Sequence, residues 1–388
     1  MIVSNKYKIS VVGGAGHIGL PLSCVLQNTG NPTTIVDINE DSIKKIKQYK
    51  LPFFEKGLQK HLEIALDSGL NLTTSIESIN SSEVIFVTLG TSSDKNISKK
   101  FAKTIDKIIE NCKENSILIL RSTVEKNICT EITKKPLFIK KKLKLAYCPE
   151  RIAEGQSVNE ITSLPQIIGT LDRQPIIEVE NIFKSIGVEI IYTDFSTSEF
   201  LKLFSNTYRY LHFSLVNEFY NIAQENNIDF NEVQKLATYK YPRLSNLPEH
   251  GFIGGPCLIK DTNTFKKSYS KKNSLINNFI ETNETYVKNV LDKCSEIFES
   301  QDLIFLGLTF KPESDDLRSS VSLKVYKSLL NLGFKIYPVD PYLKDSKIKL
   351  YKYDEVENLS SNVLISTNHK VFQKINFKNK KVIKIGKN

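Results

Sequence analysis

The chain has 388 residues, with 53 Lys and Arg against 43 Asp and Glu, which gives a formal net charge of +10. At about 150 residues per domain, this length predicts two or three domains, and 40% apolar with 25% charged residues is an ordinary globular composition. These values exclude a peptide hormone, a small toxin scaffold and a disordered tail. Only six of the basic residues are arginines, so the positive charge, carried mostly by lysines, is a weak indication of a nucleic-acid partner.

The beginning of the chain lacks the apolar core of a secretory signal, and no segment approaches the roughly 18 apolar residues that span a bilayer. We therefore expect a soluble, cytoplasmic protein. Six cysteines are scattered without CxxC pairs or His-rich neighbourhoods, so we predict no metal site and no disulfide framework. Most of these cysteines are expected to be small core residues.

The first half of the chain predicts a parallel sheet. Residues 8–12 form a strand-like run that meets a glycine-rich turn, a helical stretch and a second strand-like run at 33–39. Further strand-like runs at 83–89, 116–120 and 144–147 alternate with helical or polar segments. This alternation indicates an α/β fold in which helices cover both faces of the sheet.

From about Thr197 the pattern changes to some 30 residues without Gly or Pro, which predicts a helix long enough to bridge two domains. Its apolar positions cover more than one stripe, so the helix is expected to be buried or shared between subunits. A Gly/Pro-rich loop and more helix follow, up to about Ser300. A second βα pattern then begins at 302–308 and continues through 334–340 and 362–368.

The glycine-rich turn, residues 14–19, fits GxGxxG between a strand and a helix. Such a loop brings the backbone close to a pyrophosphate, and the helix N-terminus supplies N–H groups and a positive dipole end. Asp37 follows Gly19 by 18 residues at the end of the second strand, where a carboxylate can bind the adenosine ribose and would repel a 2′-phosphate. The pattern favours NAD over NADP, with a flavin or a simple glycine turn as alternatives.

A second glycine-rich segment surrounds Cys257. Gly254, Gly255 and Pro256 precede it, and Lys260 and Asp261 follow within four residues. Small residues let a substrate approach the backbone, and a neighbouring cation lowers the pKa of a thiol. The residues alone leave a catalytic and a structural cysteine both open.

Several motifs in the same order make the chain similar to the UDP-glucose/GDP-mannose dehydrogenase family, the NAD-dependent four-electron oxidases of nucleotide sugars. The matching segments are GGPCLIKD (254–261), TSEFLKLFSNTYR (197–209) with NE at 217–218, GLTFKPESDDLRSS (307–320), LPFFEKGL (51–58), RSTV (121–124), CPERIAEG (148–155) and VDPY (339–342). The resemblance implies two Rossmann-like parallel-sheet domains joined by a long central helix and a small helical dimerisation domain. It assigns residues 1–196 to NAD binding, 197–300 to dimerisation and the cysteine loop, and 301–388 to binding of the UDP-sugar.

The resemblance also implies the chemistry. Two hydrides leave C6 of the sugar for NAD⁺, and Cys257 holds the intermediate aldehyde as a thiohemiacetal that becomes a thioester before water releases the carboxylate. Covalent capture divides a difficult oxidation into easier steps. Lys202 and Asn206, one helical turn apart, are expected to stabilise the alkoxide, and the lysine to transfer protons. Without the motifs, the same pair reads as a solvated helix face.

The remaining roles are carried over from the matching motifs. Asp261 is expected to position a water or tune Lys202, and Glu150 with Thr123 to hold and activate the hydrolytic water. The implied cofactor contacts are Gly14, Gly16, His17, Ile18, Gly19, Asp37, Thr91, Thr123, Glu154 and Arg318. The implied substrate contacts are Arg151, Ile152, Lys202, Asn206, Arg209, Arg243, Gly255 and Lys311. Arg243 resembles an arginine that reaches the neighbouring subunit's active site, so a homodimer built on the long helix is expected.

The sequence departs from the family pattern at three places. Gly90-Thr91-Ser92 stands where Pro-Thr-Pro is usual, STVEKNICT (122–130) where STVPxGT is usual, and Lys384 where relatives often have Asp. These departures affect the expected loop geometry rather than the chemistry.

The sequence CPER followed by Ile-Ala-Glu-Gly resembles the subgroup that oxidises UDP-N-acetylhexosamines. We therefore expect UDP-N-acetylmannosamine as substrate, with UDP-N-acetylglucosamine and then UDP-glucose as alternatives, and a uronic acid donor for a capsule or surface polysaccharide as the product's use. Two other classes stay open. One is a two-electron dehydrogenase of the 3-hydroxyacid or 6-phosphogluconate type, and the other is a nucleic-acid-binding protein that uses its lysine clusters at 140–144 and 266–272.

Overall fold

The structure is a computed structural model that describes residues 6–91, 95–269, 274–298, 300–343 and 347–386. It divides into two compact units, residues 1–204 with 267–269, and residues 205–266 with 270–388. Each unit is built around its own sheet of mostly parallel strands.

The first unit contains an eight-stranded sheet with helices between its strands. Its strands are β1 (Ile9–Val12), β2 (Thr33–Val36), β3 (Asn71–Thr73), β4 (Val84–Val87), β5 (Ile117–Leu120), β6 (Lys144–Tyr147), β7 (Gln166–Thr170) and β8 (Ile190–Asp194). The helices that lie between them are α1 (Gly19–Asn28), α2 (Glu40–Lys47), α3 (Leu58–Asp67), α4 (Lys95–Asn111), α5 (Ile128–Thr133), α6 (Pro136–Lys140), α7 (Ser157–Ile161) and α8 (Ile177–Ile186). Short 3-10 turns occupy Ile76–Ser81 and Leu171–Arg173.

The strand order is β3-β2-β1-β4-β5-β6-β7-β8. All neighbouring strands are parallel except β6 and β7, which meet in antiparallel orientation at Tyr147 and Gly169. The first six strands have the doubly wound 3-2-1-4-5-6 order, in which ligands bind outside the carboxyl ends of the strands where the order reverses, here between β1 and β4.

Both faces of this sheet are buried, as the apolar strand runs predict. Along β4, Val84 and Phe86 enter the core on one face, whereas Ile85 and Val87 enter the core on the other. Alternate residues of a strand point to opposite faces, so a strand that is covered on both sides is apolar at every position. The prediction of a parallel sheet covered by helices is confirmed.

Helix α9 (Phe195–Glu225) is the predicted long helix, at 31 residues. Its residues up to Phe204 belong to the first unit and those from Ser205 onward to the second. The other helices that follow in the chain are α10 (Phe230–Thr238), α11 (Leu258–Tyr269), α12 (Leu275–Ile297), α13 (Val321–Asn331) and α14 (Tyr353–Val356), with 3-10 turns at Pro242–Leu244 and Lys370–Lys374. Nowhere in the described ranges is a helix both long and apolar enough to cross a bilayer.

The second unit contains a four-stranded parallel sheet in the order β10-β9-β11-β12. Its strands are β9 (Asp302–Leu306), β10 (Lys335–Val339), β11 (Asn362–Ile365) and β12 (Lys381–Lys384). Pro338 lies in β10, an edge strand, where a residue without a backbone N–H leaves no sheet hydrogen bond unmade. The α/β expectation is therefore confirmed for both sheets, whereas the three domain limits predicted from the sequence stay a prediction.

Candidate active site

The GxGxxG loop forms a tight turn at the carboxyl end of β1. Gly13, just before it, has φ +81°, a left-handed conformation that favours glycine. A Cβ on Gly14 would lie 2.6 Å from the Val11 carbonyl oxygen, and one on Gly19 would lie 2.4 Å from the Gly13 carbonyl oxygen. Side chains at both positions would therefore push the loop away from the strand and from helix α1.

The first turn of α1 follows this loop directly, and no described side chain caps it at Ile18. The Leu20 N–H donates to the Gly16 carbonyl oxygen at 2.9 Å and Pro21 has no N–H, so this end of α1 attracts an anion mainly through its positive dipole end. His17, which precedes Ile18, stacks on Phe53 with the ring centroids 3.9 Å apart. Asp37 lies beside the same loop, and its carboxylate accepts a hydrogen bond from the Ala15 N–H at 3.0 Å.

The glycine loop and the uncapped N-terminus of α1 fit the pyrophosphate of a dinucleotide, and the carboxylate of Asp37 fits its ribose. The negative charge of Asp37 favours the unphosphorylated ribose of NAD. These features define the first unit as a dinucleotide-binding domain of a dehydrogenase type.

Two threonines at the ends of neighbouring strands lie next to each other. The hydroxyl of Thr91 donates a hydrogen bond to the Thr123 carbonyl oxygen at 2.7 Å, which ties the loop after β4 to the loop after β5. The hydroxyl of Thr88, a residue that no sequence motif indicates, donates to the carbonyl oxygens of Val12 and Gly13, both at 3.0 Å. The Thr88 hydroxyl therefore links the end of β4 to the start of the glycine loop.

Glu150 is buried in an ion pair with Arg121, a pairing that the sequence does not indicate. The guanidinium of Arg121 donates to Glu150 Oε2 through Nε, at 3.0 Å, and through Nη2. Glu150 Oε1 accepts the N–H groups of Arg151 and Ile152 at 2.8 and 3.0 Å. Both carboxylate oxygens are therefore engaged.

The pKa of Glu150 reflects this environment. Burial acts to raise the pKa, but the charge and hydrogen bonds of Arg121, the Ile152 N–H and the charge of Lys202 together hold it below its usual value. Glu150 is thus an anion at neutral pH and a weak proton acceptor. A cavity of about 20 Å³ lined by Arg121, Glu150 and Arg151 lies beside the pair, with room for a single water molecule.

Cys257 differs from the other five cysteines. It is exposed, whereas the rest are buried, as the sequence predicts for most of them. Burial raises the pKa of four buried thiols, Cys24, Cys112, Cys148 and Cys294, to about 12 and raises that of Cys129 as well. Cys257 instead immediately precedes the N-terminus of α11, where its sulfur can be reached from solvent.

Asn206 and Asp261 are brought together in the second unit. The amide of Asn206 donates to Asp261 Oδ2 at 2.6 Å, and the Asp261 N–H donates to the Cys257 carbonyl oxygen at 2.8 Å. Asp261 is fully buried, and the ammonium of Lys260 lies 3.3 Å from its other carboxylate oxygen. The hydrogen bond fixes the orientation of the Asn206 amide, which a solvated helix face would leave free.

The cysteine loop rests on the segment 307–320. The Gly255 N–H donates to the Ser319 carbonyl oxygen at 3.1 Å. Gly255 has φ +94°, and a Cβ there would lie 2.6 Å from the ring of Phe310. Glycine is therefore required at this position by both backbone conformation and space, and Phe310 supports the loop from below.

The other predicted substrate and cofactor residues have more exposed surroundings. Arg151, Arg209 and Arg243 are exposed. Ile152 packs partly against the core of the first unit, and Glu154 lies half-buried two residues further on. In the second unit, the guanidinium of Arg318 is bound by the carboxylate of Asp316, with Nε 2.9 Å from Oδ2, and the ammonium of Lys311 lies 5.5 Å from the centre of the Phe310 ring.

The departures from the family pattern have local explanations. Asn127 stands where the family usually has glycine and has φ +68°, a conformation that Asn tolerates better than most residues. The carboxylate of Glu199 accepts its N–H at 2.8 Å and so stabilises the altered turn. Partial burial lowers the pKa of Lys384, opposed by the charge of Glu249. Ser92, the last residue of the altered Gly90 turn, lies outside the described residues.

Three domain models of one protein family together match almost the whole chain. They are the UDP-glucose/GDP-mannose dehydrogenase family's NAD binding domain at residues 7–187, its central domain at 196–285 and its UDP binding domain at 304–386. The UDP-N-acetyl-D-mannosamine dehydrogenase of Methanocaldococcus jannaschii is 32% identical over 385 residues, which cover 96% of this chain and 88% of that protein.

Two further similarities extend this finding. A UDP-glucose 6-dehydrogenase of Rickettsia bellii is 25% identical over 91% of this chain and 85% of its own length. The structure of a UDP-N-acetyl-mannosamine dehydrogenase from Pyrococcus horikoshii matches with a TM-score of 0.86 and 24% identity over 98% of this chain and 95% of that one, which shows a common fold. The chain belongs to the UDP-glucose/GDP-mannose dehydrogenase family, and it is an NAD-dependent nucleotide-sugar dehydrogenase.

Proposed function

We propose that the protein oxidises C6 of UDP-N-acetylmannosamine to the carboxylate in two steps, each of which transfers a hydride to NAD⁺. The observation that carries the proposal is the exposure of Cys257 at the N-terminus of α11, beside a backbone that Gly255 keeps free of side chains. An NAD-dependent alcohol oxidation alone has no use for such a thiol. Aldehyde oxidation does, because a thiohemiacetal can lose a hydride and an aldehyde cannot do so readily.

In the first step, the C6 hydroxyl loses a proton and a hydride. Lys202, buried and on the same helix as Asn206, is suited to accept that proton and to stabilise the alkoxide together with the Asn206 amide. The Gly14–Gly19 loop and Asp37 would hold NAD⁺, which would supply the hydride acceptor for both steps. Lys202 passes its proton to solvent, the Cys257 thiol loses its own proton to solvent, and the sulfur bonds to C6 of the aldehyde while the C=O π electrons move to oxygen. The same two groups stabilise the new oxyanion, and the second hydride leaves C6 as the C=O bond re-forms, which gives a thioester.

Hydrolysis of the thioester breaks the C6–S bond, gives the sugar carboxylate and returns the thiol. We assign Glu150 and Thr123 to the water of this step. Because the pKa of Glu150 is held low and Arg121 and two N–H groups occupy its oxygens, we propose that it orients the water while Lys202 takes up its proton. Asp261 acts through Asn206, whose amide it orients.

The identity of the sugar is supported by similarity rather than by geometry. The UDP-N-acetyl-D-mannosamine dehydrogenase of Methanocaldococcus jannaschii is 32% identical to this chain, whereas the UDP-glucose 6-dehydrogenase of Rickettsia bellii is 25% identical. The CPERIAEG segment at 148–155 points in the same direction. UDP-N-acetylglucosamine and UDP-glucose are the alternative substrates. We propose that the uronate is used to build a capsule or surface polysaccharide.

Assaying the purified chain with NAD⁺ and each of the three UDP-sugars tests the proposal. We expect two NADH per sugar consumed and the highest kcat/KM with UDP-N-acetylmannosamine. Equal or better turnover of UDP-glucose would contradict the proposed sugar. A stoichiometry of one NADH per sugar would instead favour the two-electron alternative.

We further propose that the chain is a homodimer through α9. In the second unit, Tyr208, Leu215, Phe219 and Ile222 of this helix are 41–56% exposed. Their spacing of seven, four and three residues places them on one helix face, and a contiguous exposed apolar face marks an interaction surface. Arg243, exposed on the turn Pro242–Leu244, is then free to reach the neighbouring subunit's substrate.

Replacing Phe219 by aspartate is expected to dissociate the dimer, because burying a carboxylate in an apolar interface costs several kcal/mol. Light scattering should then give the 44.1 kDa mass of one chain, against twice that value for the unsubstituted protein. Leu332→Asp is the matched control, since Leu332 is equally exposed, at 53%, but follows α13. A Phe219→Asp protein of unchanged mass, or an unsubstituted protein that is already monomeric, would exclude this interface.

A further inference from the structure

A buried cluster of polar side chains lies at the carboxyl ends of the strands in the second unit. His369 is fully buried, and Asp340, directly after β10, is 5% exposed. Nε2 of His369 lies 3.3 Å from Asp340 Oδ2 and 3.4 Å from the Thr309 hydroxyl oxygen. On the other side of the ring, Nδ1 lies 3.0 Å from the backbone nitrogen of Glu313. None of the roles implied by the family motifs involves His369.

The hydrogen bonds determine the state of the imidazole. A backbone N–H can only donate, so Nδ1 of His369 must accept the bond from Glu313 and carries no proton. The neutral ring therefore carries its proton on Nε2, where it is donated towards Asp340 and Thr309. The ring is an acceptor on one side and a donor on the other, and it connects three loops that are distant in the sequence.

These bonds fix the segment 307–320, which follows β9. Asp340 Oδ2 also accepts the Leu308 N–H at 2.8 Å, and the Glu313 carboxylate accepts the Tyr342 hydroxyl at 2.7 Å and the Lys370 N–H at 2.8 Å. The Tyr342 ring stacks on the imidazole with the centroids 4.9 Å apart. His369 thus lies at the centre of the contacts that hold this segment against the sheet.

The segment 307–320 in turn contacts both the substrate residues and the nucleophile's loop. Lys311 is two residues from Thr309 and two from Glu313, the residues that His369 binds. At its other end, the Ser319 carbonyl oxygen accepts the Gly255 N–H, and Phe310 lies under Gly255, two residues before Cys257. A shift of the segment would displace Lys311 and the backbone that precedes Cys257 together.

We propose that His369 is a positioning residue of the UDP-sugar site. Its neutral imidazole ties the segment 307–320 to the carboxyl ends of β10 and β11, and the segment then places Lys311 for the anionic substrate and supports the loop that carries Cys257. The inference rests on the proposed function for the identity of the ligand. It assigns no chemical step to His369, which acts through other residues.

The test compares two substitutions at His369 with one at a matched position. His369→Ala removes both sets of hydrogen bonds, whereas the amide oxygen of His369→Asn can still accept the Glu313 N–H. Asn362→Ala is the control, because Asn362 is 1% exposed and its amide donates to the Ser300 and Asp302 carbonyl oxygens at the opposite ends of β9 and β11. Calorimetry gives Kd for UDP and for NAD⁺, and hydrogen exchange reports on the Gly255 N–H.

We expect His369→Ala to raise Kd for UDP about tenfold or more and to accelerate exchange at Gly255 by a similar factor. Kd for NAD⁺ should rise by a smaller factor, because Arg318 is the one implied cofactor contact that lies on the segment 307–320. His369→Asn should recover most of both effects, and Asn362→Ala should show neither, although it lowers the melting temperature. Unchanged exchange at Gly255, unchanged Kd for UDP, or equal effects in Asn362→Ala would overturn the inference alone. Failure of the unsubstituted protein to bind UDP would overturn the proposed function, and the inference with it.

Discussion

Replacing Cys257 by alanine is expected to abolish formation of the uronate. Without the thiol the aldehyde at C6 cannot be converted to a thiohemiacetal, so the second hydride has no covalent route away from the carbon. We expect kcat for release of two NADH to fall by about three orders of magnitude or more, as removal of a covalent nucleophile does elsewhere. NADH absorbance and mass spectrometry of the sugar product measure the loss.

The matched control for this substitution is Cys294→Ala. Cys294 is a fully buried thiol in α12, and burial raises its pKa to about 12, so it has neither access nor thiolate character. Its removal should lower stability slightly and leave the NADH stoichiometry at two. Uronate formation by Cys257→Ala at a rate close to that of the unsubstituted protein would refute the covalent mechanism.

Alkylation of the native protein gives the same assignment without substrate. Five of the six cysteines are buried with a raised pKa, and only Cys257 is exposed. Iodoacetamide should therefore modify one thiol per native chain and six after unfolding. A second thiol reacting at a comparable rate in the native state would mean that exposure does not single out Cys257.

The strands that could be predicted from the sequence are those that are both buried and apolar at most positions. The run Val84–Val87 is apolar throughout because both of its faces are covered, and such runs are easily recognised. The sequence predicts no strand at Gln166–Thr170, which is buried throughout, because Gln166, Gly169 and Thr170 leave only two apolar residues in it. It also predicts none at Asn71–Thr73, Ile190–Asp194 or Lys381–Lys384, which lie at sheet edges and are mostly half-buried or exposed. Burial on one side leaves a weaker pattern in so short a segment.

The candidate site also has parts that the sequence predicts and parts that it does not. Gly19 and Asp37 follow strands and have a fixed spacing, so the chemistry of a dinucleotide loop could be read directly. The partners of Glu150 and Thr309 could not, because Arg121 is 29 residues away from Glu150 and His369 is 60 residues away from Thr309. Contacts of this kind depend on which strand ends become neighbours, which the sheet order determines.

The arginines illustrate the consequence for function. The resemblance assigns Arg151, Arg209 and Arg243 to the substrate and Arg318 to the cofactor, but the sequence does not say which arginines are already bound to a carboxylate of the protein. Arg121 is 5% exposed and is paired with Glu150, and Arg318 is bound to Asp316. The other four arginines are exposed, namely Arg151, Arg173, Arg209 and Arg243. A diphosphate therefore has fewer guanidinium partners than the count of motif arginines indicates.

Replacing Arg121 by methionine is expected to lower the free energy of unfolding by about 3–5 kcal/mol, since it leaves the Glu150 carboxylate buried without its counterion. Arg121 uses Nη1 to donate to Gln166 Oε1 at 2.9 Å as well, so the loss includes a second buried hydrogen bond. Lysine is not a conservative replacement here, because one ammonium cannot reproduce the guanidinium fork. Denaturant unfolding at pH 7 measures the effect.

The contribution of the Arg121–Glu150 pair to the free energy of unfolding depends on pH. In the unsubstituted protein the pKa of Glu150 is held below 4.5, so the pair stabilises the fold above that pH and loses its contribution as the pH falls through the lowered pKa. In Arg121→Met the two effects of Arg121 that lower the pKa of Glu150 are lost, and only the Ile152 N–H and the charge of Lys202 still oppose burial. The pKa of Glu150 is therefore higher in the variant, and protonation on acidification relieves the buried charge. The stability difference between the two proteins should therefore narrow from pH 7 to pH 5.

A double-mutant cycle separates this electrostatic effect from lost packing. Arg121→Met combined with Glu150→Gln removes both charges, while the Gln amide oxygen can still accept the Arg151 and Ile152 N–H groups. The double variant should recover at least about 1.5 kcal/mol of the stability lost by Arg121→Met, yet remain as inactive as Glu150→Gln. Additive losses within about 0.5 kcal/mol would mean that Arg121 stabilises the fold by packing on Phe183 rather than by compensating Glu150.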